Sequence, residues 1–89
     1  MPKIWVQDSA IDAICHGASL NVPGIVKLES GIDKDDDIAV MTLKNELIAL
    51  GSAVMTSEQM MTEQKGFAVK VNKVFMLPGT YPKQIIISK

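Results

Sequence analysis

The sequence predicts a mixed, mainly β domain, a small pseudo-barrel of about five to six strands with two short helices. Three observations carry this. Short runs of β-branched and aliphatic residues recur along the chain, as in Ile25 to Leu28, Ile38 to Thr42 and Leu47 to Met55. Two brief segments, opening near Asp8 and at Thr56, carry helix-start signals and meet a glycine soon afterwards. Gly51 interrupts the longest strand, which marks a bulge or a close backbone approach and favours a curved sheet over a flat sandwich.

The 89 residues leave room for one domain and no second. A chain of this size buries about 60 to 65% of its unfolded surface, enough for a single core. Apolar residues make up 47%, but no run approaches the roughly 20 residues of a membrane span, and no basic stretch precedes an apolar one at the N-terminus. A soluble, cytoplasmic protein with no membrane association is expected. Cys15 is the sole cysteine and His16 the sole histidine. No internal disulfide can form, no metal-ligand spacing exists, and no metal or cofactor is expected. Cys15 reads as a reduced thiol packed as a small hydrophobe.

The elements follow in order. Lys3 to Val6 is a short strand. Asp8 or Ser9 opens a helix in which Ser9 and Asp12 have capping-box spacing, and Gly17 ends it. Ile11, Ile14 and Cys15 form its buried stripe, leaving Asp8, Asp12 and His16 toward solvent or loop. Pro23-Gly24 is a turn pair ahead of the strand Ile25 to Leu28, and Gly31 to Asp37 is an acidic turn. Lys44-Asn45 joins Ile38 to Thr42 with Leu47 to Met55 as a tight hairpin, since Asn tolerates the left-handed region. Thr56 and Gln59 repeat the capping-box spacing on a helix that Gly66 can close, with Met60 and Met61 inward. Phe67, Val69 and Val71 then alternate with Ala68, Lys70 and Asn72 along a half-buried strand, and the alternation slips after Asn72.

Net charge is only −1, yet it is unevenly spread. From Leu28 to Glu63 eight acids face Lys34 and Lys44, a net of −6; from Gln64 onward five lysines stand without an acid, a net of +5. Clustered charges act over about 8 to 10 Å at ordinary salt, so a polyanion is steered to one face and repelled from another. Arginine is absent. Lysine binds phosphate but lacks the planar fork for base edges. The acidic turn Asp33, Asp35, Asp36, Asp37 lacks the glycine and terminal glutamate of a calcium loop and reads as a solvated turn.

Asp8-Ser9-Ala10, Pro23-Gly24-Ile25-Val26-Lys27, Ile38-Ala39-Val40-Met41-Thr42, Glu46-Leu47-Ile48-Ala49-Leu50-Gly51 and Lys65-Gly66-Phe67-Ala68-Val69 resemble a PUA domain, the RNA-binding module named after pseudouridine synthases and archaeosine transglycosylases. The resemblance covers nearly the whole chain. Pro2 to Val6, Val74-Phe75-Met76 and Tyr81-Pro82-Lys83 most resemble the C-terminal domain of the archaeal, dyskerin-type H/ACA guide-RNA pseudouridine synthases. Two departures stand out: Asn45 where the family usually places glycine near the turn, and acids at Asp35 to Asp37 where it tends to carry lysine and glycine.

The resemblance implies a non-catalytic, RNA-binding module, the pseudouridine synthase activity residing in another, larger domain. The RNA groove would be lined by this segment together with the first helix and the last strands, the matching positions being His16, Gly17, Ala18, Leu20, Val22, Pro23, Gly24 and Ile25, with Lys27 directly after. In H/ACA enzymes the matching surface reads the ACA trinucleotide and the adjoining lower stem of the guide RNA. Local chemistry alone reads the same segment as a plain helix-to-strand connection. His16 is explained as a helix-end residue, and base contact is its functional alternative. Lys70, Lys73 and Lys83 are either solubilising or phosphate contacts. Trp5 and Phe67 are expected in the core, and Tyr81 is expected exposed, stacking on RNA or docking on a neighbouring domain. Two other functions remain open: binding a tRNA acceptor CCA end, or protein docking through the apolar segment Val74 to Ile87 onto a synthase catalytic domain.

Overall fold

The computed structural model describes residues 1–81. Among them are β1 (Lys3–Val6), α1 (Asp8–Cys15), β2 (Leu20–Asn21), a 3-10 turn (Val22–Gly24), β3 (Ile25–Leu28), β4 (Asp37–Met41), β5 (Leu47–Ala53), α2 (Ser57–Thr62) and β6 (Phe67–Val74). The six strands form one sheet in the order β2-β6-β5-β4-β1-β3. β1 runs parallel to β4, and every other pairing is antiparallel. The two edge strands, β2 and β3, are consecutive in the chain, separated only by the 3-10 turn. So short a link forces the edges toward each other, and the sheet curls into a nearly closed barrel, the mainly β pseudo-barrel that the sequence predicts.

The interior is filled by Ile4, Val6, Ile38, Val40, Ile48 and Val69, with Ile11 and Ile14 of α1 sealing one side, all 0 or 1% exposed. Burying one such aliphatic side chain contributes about 1.5 to 3 kcal/mol. Cys15 is buried and free. Burial first, and the neighbouring Asp12 second, push its thiol pKa up, so it packs as a neutral group.

Two backbone expectations hold. Asn45 adopts φ +63° in the β4–β5 turn, and its side chain Oδ1 also accepts from Trp5 Nε1 at 2.7 Å. Gly51 sits at a register shift, where a Cβ would meet the Lys70 carbonyl oxygen and lie 2.6 Å from Val69 Cγ1. The capping box at α2 forms: Thr56 Oγ1 accepts from the Gln59 amide at 3.2 Å, and Gln59 Oε1 accepts from the Thr56 amide at 2.9 Å.

Other expectations are corrected. Ser9 and Asp12 make no capping box, because α1 begins at Asp8 with Gln7 as its N-cap, and Ser9 Oγ donates to Gln7 Oε1 instead. Asp12, expected outside, is only 7% exposed and accepts from the Gly79 amide at 3.2 Å, tying α1 to the segment after β6. Gly66 does not close α2, which ends at Thr62 with Glu63 extended; its φ of +118° turns the chain into β6. Met60 is buried but Met61 is exposed, since six helical residues offer one inward face.

Phe67 is the largest correction, at 62% exposed. The register explains it. β6 carries one extra residue between the Asn21–Phe67 and Leu20–Val69 pairs, and another between the Gly51–Val71 and Leu50–Lys73 pairs. Each bulge reverses the alternation of faces, so Phe67 points out while Ala68 and Val69 are both buried. Trp5 is likewise only half-buried.

Candidate nucleic-acid interface

The loop from Gly17 to Gly24 is set by helix termination. Gly17 adopts φ +89°; its amide donates to the Ile14 carbonyl at 2.8 Å and the Ala18 amide to the Ala13 carbonyl at 3.0 Å. This is a Schellman arrangement, which needs a residue free to take positive φ. The chain then turns back along α1. The Gln7 amide donates to the Gly24 carbonyl at 2.9 Å, and Gln7 Nε2 to the Pro23 carbonyl at 3.2 Å. Gly24 is close enough to α1 that a Cβ there would stand 3.4 Å from that of Ala10.

Between α1 and this loop lies a groove of about 340 Å³. Its helix wall is made by Ser9, Ala10 and Ala13, its loop wall by Ser19, Asn21, Pro23 and Gly24, with Gln7, Ile14 and Leu20 completing it. Among the described residues no charged side chain lines it. The amides of Gln7 and Asn21, the hydroxyls of Ser9 and Ser19, and exposed backbone suit a flat, hydrogen-bonding guest held by shape.

The predicted site residues divide among several places. Leu20, Pro23 and Gly24 line the groove. His16, Gly17 and Ala18 form the helix cap instead, His16 turning its Nδ1 back to within 2.8 Å of the Asp12 carbonyl, with 55% of its side chain exposed. Val22, Ile25 and Lys27 line a different hollow, shared with Met60 and Met61 of α2. Lys27 also lies over the Trp5 ring, its Nζ 4.4 Å from the centroid. Lys70 and Lys73 are exposed on β6, and Lys73 Nζ is 5.3 Å from the Phe75 ring centroid. Lys83 lies outside the described residues. Sequence reasoning missed Gln7, Ser9, Ala10, Ala13, Ser19 and Asn21 as individual groove residues. The signal for the helix wall was present in the small side chains at Ser9, Ala10 and Ala13, which share one helical face opposite the apolar stripe.

Tyr81 is half-buried rather than exposed, and its hydroxyl donates to Glu46 Oε1 at 2.6 Å. That bond, helped by one from Thr42 Oγ1, holds the Glu46 carboxyl below its ordinary 4.5; its counterpart effect raises the Tyr81 phenol above 10.0. Because the folded carboxyl is depressed, its stabilising effect is present above 4.5 and lost as pH falls through the folded value. Tyr81→Phe is therefore expected to flatten the acid limb of the melting-temperature profile. An unaltered limb in that variant would show that the bond is not formed in solution.

The rolled six-stranded sheet, its two helices and the groove beside α1 belong to one family: residues 2–75 match the PUA domain model, and the chain is a member of it. Over 83 residues it is 60% identical to a probable tRNA pseudouridine synthase B from Pyrococcus horikoshii, covering 93% of this chain and 25% of that protein. It superimposes with a TM-score of 0.92 and 57% identity on a structure of an H/ACA RNP bound to a substrate RNA containing 2'-deoxyuridine, over 93% of this chain and 26% of that one. An archaeal box H/ACA sRNP Nop10-Cbf5 complex gives a TM-score of 0.92 at 56% identity, over 96% and 28% of the two chains. The chain thus spans about a quarter of the length of these relatives. Among the described residues no helix is long and apolar enough to cross a membrane, and no three His, Cys, Asp or Glu side chains converge as for a metal ion.

Proposed function

We propose that the chain is a non-catalytic RNA-binding module that holds structured RNA, the ACA end and lower stem of an H/ACA guide RNA or a similar element, for a cytoplasmic pseudouridine synthase. The uncharged groove between α1 and the Ser19 to Gly24 loop carries the reading. Single-stranded ends present flat base edges, and small walls with amide, hydroxyl and backbone groups accept them by shape and hydrogen bonding without arginine. The likeness to a chain in an RNA-bound H/ACA complex supports it. The catalytic residues of the synthase would lie in a separate domain, for which this module is a neighbour. The relatives' description as tRNA pseudouridine synthases favours a second reading, in which the groove takes a tRNA CCA end.

Titration of labelled H/ACA hairpin RNA at two salt concentrations, beside a hairpin with ACA altered and a CCA-ended tRNA, separates these. Preference for ACA with a modest salt slope is the expected result. Preference for tRNA selects the second reading. Equal and steeply salt-dependent binding of all three would reduce the protein to a lysine-driven phosphate binder. No binding would leave docking through Val74 to Ile87 as its role.

A further inference from the structure

β3 is one margin of the sheet and pairs only with β1. The Glu29 amide donates to the Lys3 carbonyl at 3.1 Å, so the backbone of Glu29, and of Lys27 two residues before it, is turned toward β1. The backbone of Leu28 between them is turned away, and among the described residues its N–H and C=O meet no partner. Beside this margin lies a hollow of about 450 Å³ between β3 and α2, where Val26 is 50% and Met61 64% exposed. An open strand edge with an apolar flank is a template for another strand. Charge selects which strand. Lys27 and Glu29, both exposed, stand on one face of β3 with Leu28 midway. Among the described residues neither forms an ion pair: Lys27 lies over Trp5, and Glu29 accepts from the Lys3 amide through Oε1 alone. A strand laid antiparallel along this edge must offer a cation opposite Glu29, then an apolar residue, then an acid opposite Lys27. Lys27-Leu28-Glu29 is itself that sequence.

We propose that the β3 margin is a self-association surface whose occupant is β3 of a second copy of this chain, the two strands running antiparallel about a two-fold axis through Leu28. That axis gives two reciprocal hydrogen bonds, each from one Leu28 N–H to the other Leu28 carbonyl, and sets Lys27 of each copy opposite Glu29 of the other. Those two residues then fall at the non-hydrogen-bonded positions, where facing side chains approach most closely. A margin of one sign would repel its own copy; opposite signs placed evenly about Leu28 attract it. The matched stretch is short. β3 carries one extra residue, Val26, between the Trp5–Lys27 and Val6–Ile25 pairs, which bends it away from regular pairing. The excess of acid from Leu28 to Glu63, a net of −6, adds a general repulsion between copies. The contact therefore belongs with transient interfaces that bury less than about 1,200 Å².

The test uses the 89-residue chain without RNA. Sedimentation equilibrium is expected to show the average mass rising from one chain toward two, with a dissociation constant of about 1 mM. Amide shifts that move with concentration should centre on Leu28. Lys27→Glu places acid against Glu29, and Glu29→Lys places lysine against Lys27, so each variant alone is expected to self-associate at least about tenfold more weakly. An equimolar mixture of the two restores opposite charges at both positions and should associate about as well as the unaltered chain. Restoration on mixing is a result that damage to one fold cannot produce, and circular dichroism confirms that each variant is folded. A chain that stays monomeric at about 2 mM, concentration-dependent shifts away from β3, single variants that associate as the unaltered chain does, or folded variants whose mixture stays apart would each overturn the proposal.

Discussion

Gly51→Ala is expected to lower the melting temperature by roughly 12 to 24 °C. The added methyl would run into the Lys70 carbonyl oxygen, with Val69 Cγ1 at 2.6 Å and the Lys70 carbonyl carbon at 3.2 Å. Two of those atoms are backbone of the adjacent strand and cannot rotate away. Overpacking of this kind costs about 1 to 3 kcal/mol, and rigid backbone places this case at the upper end. In a domain of this size each kcal/mol moves the midpoint by about 4 to 8 °C. Gly24→Ala is the internal control. Its Cβ would meet Leu20 Cδ1 at 3.2 Å, the far end of a side chain that can shift, so its loss should stay below about 1 kcal/mol. Equal melting of the two variants would refute the close approach of β5 and β6.

Ala13→Leu is expected to abolish ACA preference while leaving the fold intact. Ala13 is exposed on α1 and forms part of the groove wall, so a leucine projects into the space that the guest needs. The position tolerates the change, since leucine is a good helix former and surface substitutions shift stability by about 0.5 kcal/mol. Hairpin affinity should fall at least about tenfold, equivalent to about 1.4 kcal/mol, with thermal melting nearly unaltered. Full ACA preference in the folded variant would show that RNA does not enter between α1 and the loop.

The sequence made the scaffold legible wherever one residue type answers one geometric demand. Gly17 at positive φ, Asn45 in the hairpin turn, Gly51 at the strand crossing and the Ile11, Ile14, Cys15 stripe all read correctly, because each depends on local sterics or a fixed period. What failed depends on distant partners. Asp12 looks like a surface acid until the Gly79 amide, which is 67 residues away, is placed against it. The inversion of Phe67 follows from bulges that only pairing with β2 and β5 reveals. The candidate site divides in the same way. Pro23 and Gly24 announce the loop, but Ser9, Ala10 and Ala13 become a wall only once Gln7 has bound the loop's carbonyls. The family resemblance supplied the groove's neighbourhood, and Val22, Ile25 and Lys27 line a separate hollow beside Met60 and Met61.

The three-residue turn Val22–Gly24 is the seam of the barrel, for the strands on either side of it are the sheet's two margins. One wall of the groove is therefore also the hem that keeps the cylinder shut, pinned by the Val22 amide on the Gly66 carbonyl and the Gly24 carbonyl on the Gln7 amide. Side chains along that wall can be exchanged at small expense to the rest of the molecule, whereas an inserted residue would slacken the hem and part the margins. If RNA lies in the groove as proposed, such a domain would acquire new RNA preferences by changing what lines it, but scarcely by changing how long the loop is.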